Sequence, residues 1–129
     1  MANKAAGTFE VKIVPQEDRV VPMLSRMTID KTFHGDLEGT SQGQMLAAST
    51  SIPHSAGYVA MERVTGSLHG KQGSFALQHT ATMNKGEPSL NITVVPDSGT
   101  DELTGLSGKL NIIMADGKHS YEFEYHLPE

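Results

Sequence analysis

A chain of 129 residues is long enough for one domain and too short for two ordinary ones. With 37% hydrophobic and 19% charged residues it reads as neither a disordered tail nor a membrane protein. A net charge of −5, with ten basic residues scattered singly, argues against a nucleic-acid partner, which needs clustered Lys and Arg; the absence of cysteine excludes disulfide scaffolds, thiolate metal sites and cysteine nucleophiles.

Eleven threonines, eleven serines and thirteen glycines dilute the helix formers. No stretch free of both glycine and proline exceeds twelve residues, which leaves long helices no place to form. In chain order, Phe9, Val11 and Ile13 alternate with Thr8, Glu10 and Lys12, predicting a strand over 5–14. Thr28, Ile29 and Thr32 favour a strand over 24–34, and further strands follow at 37–49, 57–68 and 73–83. Leu90, Ile92 and Val94 alternate within 88–95. After 108–115, Tyr121, Phe123 and Tyr125 alternate with polar residues in 119–127. Between the runs lie turn residues, of which Asp116-Gly117 is the strongest hairpin signal. Eight short strands joined mostly by hairpins predict an all-β, single-domain antiparallel meander over 1–129. Closure into an eight-stranded barrel removes its edges; a two-sheet sandwich is the competitor.

The segment 62–79, ERVTGSLHGKQGSFALQH, carries the candidate chemistry. A turn centred on Gly70-Lys71 sets Leu68 opposite Gly73, Gly66 opposite Phe75, Val64 opposite Leu77 and Glu62 opposite His79. The more apolar face then holds Tyr58, Ala60, Glu62 and Val64 against Phe75, Leu77, His79 and Ala81, and is expected to be the inner wall. A directly opposed Glu62 and His79 have Cβ atoms about 5 Å apart and would hold each other's charge in a poorly solvated barrel. They are the candidate acid/base or ligand-orienting pair, with a register-fixing polar pair as the structural alternative. On this reading Glu62→Gln alters ligand binding and leaves the fold intact.

Six histidines lack any local ligand spacing, so no metal site is expected. Gly66, Gly70 and Gly73 sit in a hairpin and do not form a phosphate loop; no Gly-x-Ser-x-Gly elbow and no cofactor motif is present. Outward-facing Val59, Met61, Val95 and Ile113 are candidates for an oligomer interface. No apolar run of the roughly 7–15 residues a secretory signal needs follows the first residues, and none approaches the roughly 18 of a membrane helix. A cytoplasmic protein without a membrane partner is therefore expected.

The run 62–79, together with VVPDSGTDELTGLSG (94–108), GTFEVK (7–12), FHGDLEG (33–39) and YEFEY (121–125), resembles the bacterial domain-of-unknown-function 3224 family. Ala81 and Ala76 stand where that family is expected to carry glycine and valine. The resemblance implies a small barrel similar to allene oxide cyclase and the dirigent proteins, a cavity for apolar molecules and a homo-oligomer. No catalytic residue carries over from those plant proteins, because none of their motifs is recognisable here. Two functions follow as expectations. One is a barrel that binds a small apolar molecule, with isomerase- or cyclase-type proton chemistry at Glu62 and His79. Tyr58, Phe75, Leu77, Tyr121 and Phe123 then line its cavity, and Gly39, Ser41, Gly43, Ala60 and Gly66 leave room inside. The other is a non-catalytic homo-oligomeric scaffold whose barrel is plugged by Phe75, Met83, Met114, Tyr121 and Phe123.

Overall fold

The computed structural model describes residues 3–17 and 20–128. Eight strands follow one another: β1 (Asn3–Pro15), β2 (Leu24–Gly35), β3 (Leu37–Ser49), β4 (Ala56–Leu68), β5 (Lys71–Asn84), β6 (Glu87–Val94), β7 (Ser107–Ala115) and β8 (Lys118–His126), with one 3-10 turn at Asp101–Leu103. Every neighbouring pair is antiparallel, and β1 pairs with β8, so the meander closes into a barrel in chain order. The predicted strands agree with these to within two residues at each end. Closure wins over a sandwich because β1 finds a partner in β8 from Asn3↔Tyr125 to Thr8↔Ser120.

The β4–β5 register differs from the expected one. The pairs are Leu68↔Lys71, Gly66↔Gly73, Val64↔Phe75, Glu62↔Leu77 and Ala60↔His79. The two turn residues are His69 and Gly70, with φ of 47° and 81°. A two-residue hairpin turn of this hand needs positive φ at both positions and favours glycine at the second, as at Lys85-Gly86 and Asp116-Gly117. The shift is two residues, the side-chain period of a strand, so every side chain keeps its face. Glu62 and His79 remain on the inner wall as diagonal neighbours.

The two ends of the barrel differ. At the end holding the β2–β3 and β4–β5 turns, rings fill the interior. Phe9 lies 5.8 Å from Phe33, Phe33 meets Tyr121 edge-on at 5.7 Å, and Phe75 stacks on Phe123 at 5.9 Å. The Tyr121 hydroxyl accepts the Leu37 N–H at 2.9 Å, so the buried phenol is satisfied. β6 is 8 residues long against 14 for β5, which leaves one edge of β5 bare near this end. Segment 95–106 covers it: Val95 N–H donates to the Ala76 carbonyl and Thr100 N–H to the Ser74 carbonyl, both at 2.9 Å. Ser74, on the outer face, is buried beneath this segment, whose Leu103 and Leu106 join the core. At the opposite end, Met83 and Met114 are 41% and 64% exposed and do not plug the barrel.

The glycines expected to leave interior room instead let strands approach. A Cβ at Gly66 would lie 2.1 Å from the Glu38 carbonyl oxygen and 2.6 Å from Gly39 Cα. Gly66→Ala is therefore expected to destabilise the barrel by about 2 kcal/mol or more and lower the melting temperature by several degrees. Gly57→Ala, whose new Cβ meets nothing nearer than 3.4 Å, should melt within a degree or two of the parent. Equal melting of the two variants would contradict this packing.

Candidate functional site

The inner face of β2 reads Ile29, Lys31, Phe33, placing one lysine in an apolar row. Lys31 pairs with Ser41 on β3, and Glu62 on β4 pairs with Gly43 one row nearer the mouth. Gly43 carries no side chain, and a Cβ there would lie 2.7 Å from the Glu62 Cβ. Glu62 can therefore lean across β3 toward Lys31 and Ser41. Lys31 Nζ donates to Glu62 Oε2 at 2.8 Å, Ser41 Oγ donates to Oε1 at 2.7 Å, and His79 Nε2 bonds Oε2 from β5. All four residues are buried. The remaining face of the ammonium is met by rings, with Phe9 and Phe33 centroids at 5.3 and 5.8 Å.

Burial alone would push the Glu62 carboxyl up. The hydrogen bond from His79 and the charge of Lys31 outweigh it and hold the group down to about 2. Glu62 is thus ionised at neutral pH and acts only as an acceptor, so His79 must carry its proton on Nε2. His79 Nδ1 has no hydrogen-bond partner among the described residues. Among the described residues no fully enclosed side-chain nitrogen or oxygen lacks a partner, and the His79 side chain keeps 4% exposure, so Nδ1 borders open space.

His79 does not itself line the cavity at the open end, whose wall begins with its row neighbour Met45 and with Ala81 two residues along β5. Across the inner wall, Met27, Met45, Ala60, His79 and Ile92 form one row, and Ala47, Tyr58, Ala81 and Leu90 form the next row outward. A cavity of about 310 Å³ opens there, lined by Met45, Ala47, Tyr58, Ala81, Met83 and Leu90 among others. Of the five residues expected to line a cavity, Tyr58 does so. Phe75, Leu77, Tyr121 and Phe123, each at most 1% exposed, fill the opposite half of the barrel. Burial, and next the nearby Glu62 charge, raise the Tyr58 phenol above its ordinary value. A larger open trough, about 800 Å³, runs along the outer wall over Gln44, Leu46, Val59, Met61 and Gln78. Val59 and Met61 share it. Ile113 lies three strands away on β7, and Val95 is half-buried beside β5.

Because the folded value of Glu62 lies below the ordinary 4.5, its carboxylate contributes stability that is complete above that pH and is lost as pH falls toward 2. The gap corresponds to about 3 kcal/mol. Urea unfolding should show this loss in the parent, and it should be absent from the doubly substituted Lys31→Met, Glu62→Gln protein, which has no carboxyl there to titrate. Glu62→Gln alone is not the benign change expected from the sequence. It strands a buried ammonium and should cost about 3–5 kcal/mol at neutral pH, more than the double substitution. A single variant as stable as the parent would contradict the buried ion pair.

Comparison with known proteins places the fold and its sequence together. The sequence model described as "Protein of unknown function (DUF3224)" matches residues 5–125. The crystal structure of a protein of unknown function from the DUF3224 family of Shewanella oneidensis is 47% identical, with a TM-score of 0.95, over 100% of this chain and 99% of that one. No curated protein matches. Nor is any helix among the described residues long and apolar enough to cross a membrane. With a match across nearly all of its strands, the chain belongs to the DUF3224 family.

Proposed function

We propose that the protein binds a small apolar molecule in the open end of its barrel, above the row that holds His79. The supporting observation is the asymmetry of the interior: rings close one half, while the other keeps about 310 Å³ walled by methionine, alanine, leucine and one tyrosine. Apolar walls with few polar groups are the usual composition of a small-ligand site, and this volume lies at the small end of such sites. Ala47, Ala56 and Ala81 make the space; each stands where a longer side chain would fill it.

The proton chemistry available to this site divides unequally between its two titratable residues. Glu62 has both oxygens engaged and is held near 2, which makes it a poor proton acceptor at neutral pH. Its role is to orient the imidazole. His79 is then the residue left to move a proton to and from a ligand that reaches past Met45 and Ala81 of the cavity wall, an isomerisation that needs no further reactant.

A second reading rests on the outer trough. Leu46 and Val59 are cross-strand partners, and with Met61 they are 56%, 50% and 52% exposed. Gln44 and Gln78 flank Met61 by register. Arg26, paired with Leu46, and Arg63, two residues along β4 from Met61, edge the same trough, so this face of a chain of net charge −5 is apolar with a basic rim and is where two copies would meet with least repulsion. Sedimentation should then show an oligomer that Met61→Lys dissociates; a monomeric parent at high concentration would exclude it.

For the cavity, the neutral dye N-phenyl-1-naphthylamine should brighten on mixing with the parent. Ala81→Leu should lose at least about ninety per cent of that signal while melting near the parent, since it fills the cavity from its wall. No brightening with the parent, or undiminished brightening with the variant, would overturn the ligand-binding reading.

A further inference from the structure

We infer that the cavity takes neutral apolar molecules bearing one hydrogen-bond-accepting oxygen, of the kind a ketone carries, and that the Tyr58 hydroxyl donates to that oxygen. This rests on the ligand-binding reading above and adds to it the chemistry of the ligand's polar end.

The chain has three tyrosines, and the hydroxyls of two serve the closed end. Tyr121 accepts the Leu37 N–H at 2.9 Å and donates to the His34 carbonyl at 3.0 Å, and Tyr125 bonds His69 Nδ1. Tyr58 lines the cavity and is half-buried, yet its hydroxyl has no hydrogen-bond partner among the described residues. A phenol taken out of water ordinarily keeps a partner for its O–H. A molecule that displaces solvent from this cavity must therefore supply one or lose affinity.

Register leaves that hydroxyl alone on the inner wall. The lumen-facing side chains around Tyr58 are alanines, methionines, a leucine and a proline, none of which has an N–H or O–H to offer. Thr82 and Ser89 also border the cavity, but they pair with each other and with Gly57 at the alternate, outward-facing positions. Burial, and next the Glu62 charge, oppose loss of the phenolic proton, so Tyr58 stays a donor at neutral pH. The lining holds no lysine, arginine or histidine, and Lys31 is already engaged by Glu62 at 2.8 Å. A carboxylate ligand would bury its charge there unpaired, which restricts the site to neutral molecules.

Three compounds of nearly one shape test this: acetophenone, which carries a carbonyl; α-methylstyrene, in which a methylene replaces the carbonyl oxygen; and benzoate, which is an anion. Calorimetric titration of the full chain compares the parent with Tyr58→Phe. The substitution should weaken acetophenone about five- to tenfold and change α-methylstyrene less than about twofold; each ligand is compared with itself, so its own hydration cancels. Benzoate should bind the parent at least about tenfold more weakly than acetophenone. Infrared difference spectra of carbonyl-labelled acetophenone should place the bound stretch below its value in hexane, and Tyr58→Phe should move it up toward that value. A band at the hexane value in the parent would overturn the inference even if Tyr58→Phe fails to fold. Equal weakening of both neutral ligands, a band unmoved by the substitution, or benzoate binding as tightly as acetophenone would overturn the role of Tyr58 while leaving the cavity in place. Failure of all three compounds to bind the parent would overturn the cavity reading and this inference together.

Discussion

A carboxylate held inside a barrel by an ammonium, a hydroxyl and an imidazole is the contact on which the rest of the interior depends. Glu62 cannot be removed from water without partners, and its partners come from three different strands: Lys31 on β2, Ser41 on β3 and His79 on β5. Each bond is made only if β2, β3, β4 and β5 keep their observed registers. The cluster thus acts as a check on strand alignment as well as a polar site, a role best known for buried polar groups in helical assemblies. Glycine at position 43 is part of the same device, since any side chain there would meet the Glu62 Cβ.

The cluster also divides the barrel. On one side the wide aromatic residues Phe33, Phe75, Tyr121 and Phe123 close the interior, helped by Leu103 and Leu106 from the segment that replaces the missing end of β6. On the other side the inner rows carry alanines and flexible methionines, and the lumen stays open. A barrel of eight strands is at the size where side chains either fill the interior or leave space for one small ligand. This chain does the first in one half and the second in the other, and the boundary is where Glu62 and His79 lie.

The architecture was legible in the sequence because strands of period two, glycine-bearing turns and a count of eight are local features. The inner and outer faces were legible for the same reason, and they survived a misplaced turn: moving the bend from Gly70-Lys71 to His69-Gly70 shifts pairing by two and changes no face. The glycine-second pattern at Lys85-Gly86 and Asp116-Gly117 was the available signal for the correct turn. Lys31 and Ser41 were missed although Lys31 interrupts an apolar alternation with Ile29 and Phe33; its partner lies 31 residues away, and only the barrel joins them. The cavity lining was misassigned for Phe75, Leu77, Tyr121 and Phe123 because alternation tells in from out but does not say at which end a row sits. That depends on the stagger of strands around the barrel and on the non-periodic segment 95–106.

Membership of the DUF3224 family and the likeness to the Shewanella structure fix what kind of object this is, and the site must be argued from its own atoms. The central physical claim is that apolar space lies toward the open end from a buried cluster of Lys31, Ser41, Glu62 and His79. A crystal of the protein pressurised with xenon tests it most directly, since xenon reports apolar voids without needing a guessed ligand. The account predicts a xenon peak among Met45, Tyr58 and Ala81, on the side of Ala60 that faces the open end. A side chain of Met45 or Met83 folded into that volume, with no xenon beside it, would contradict it.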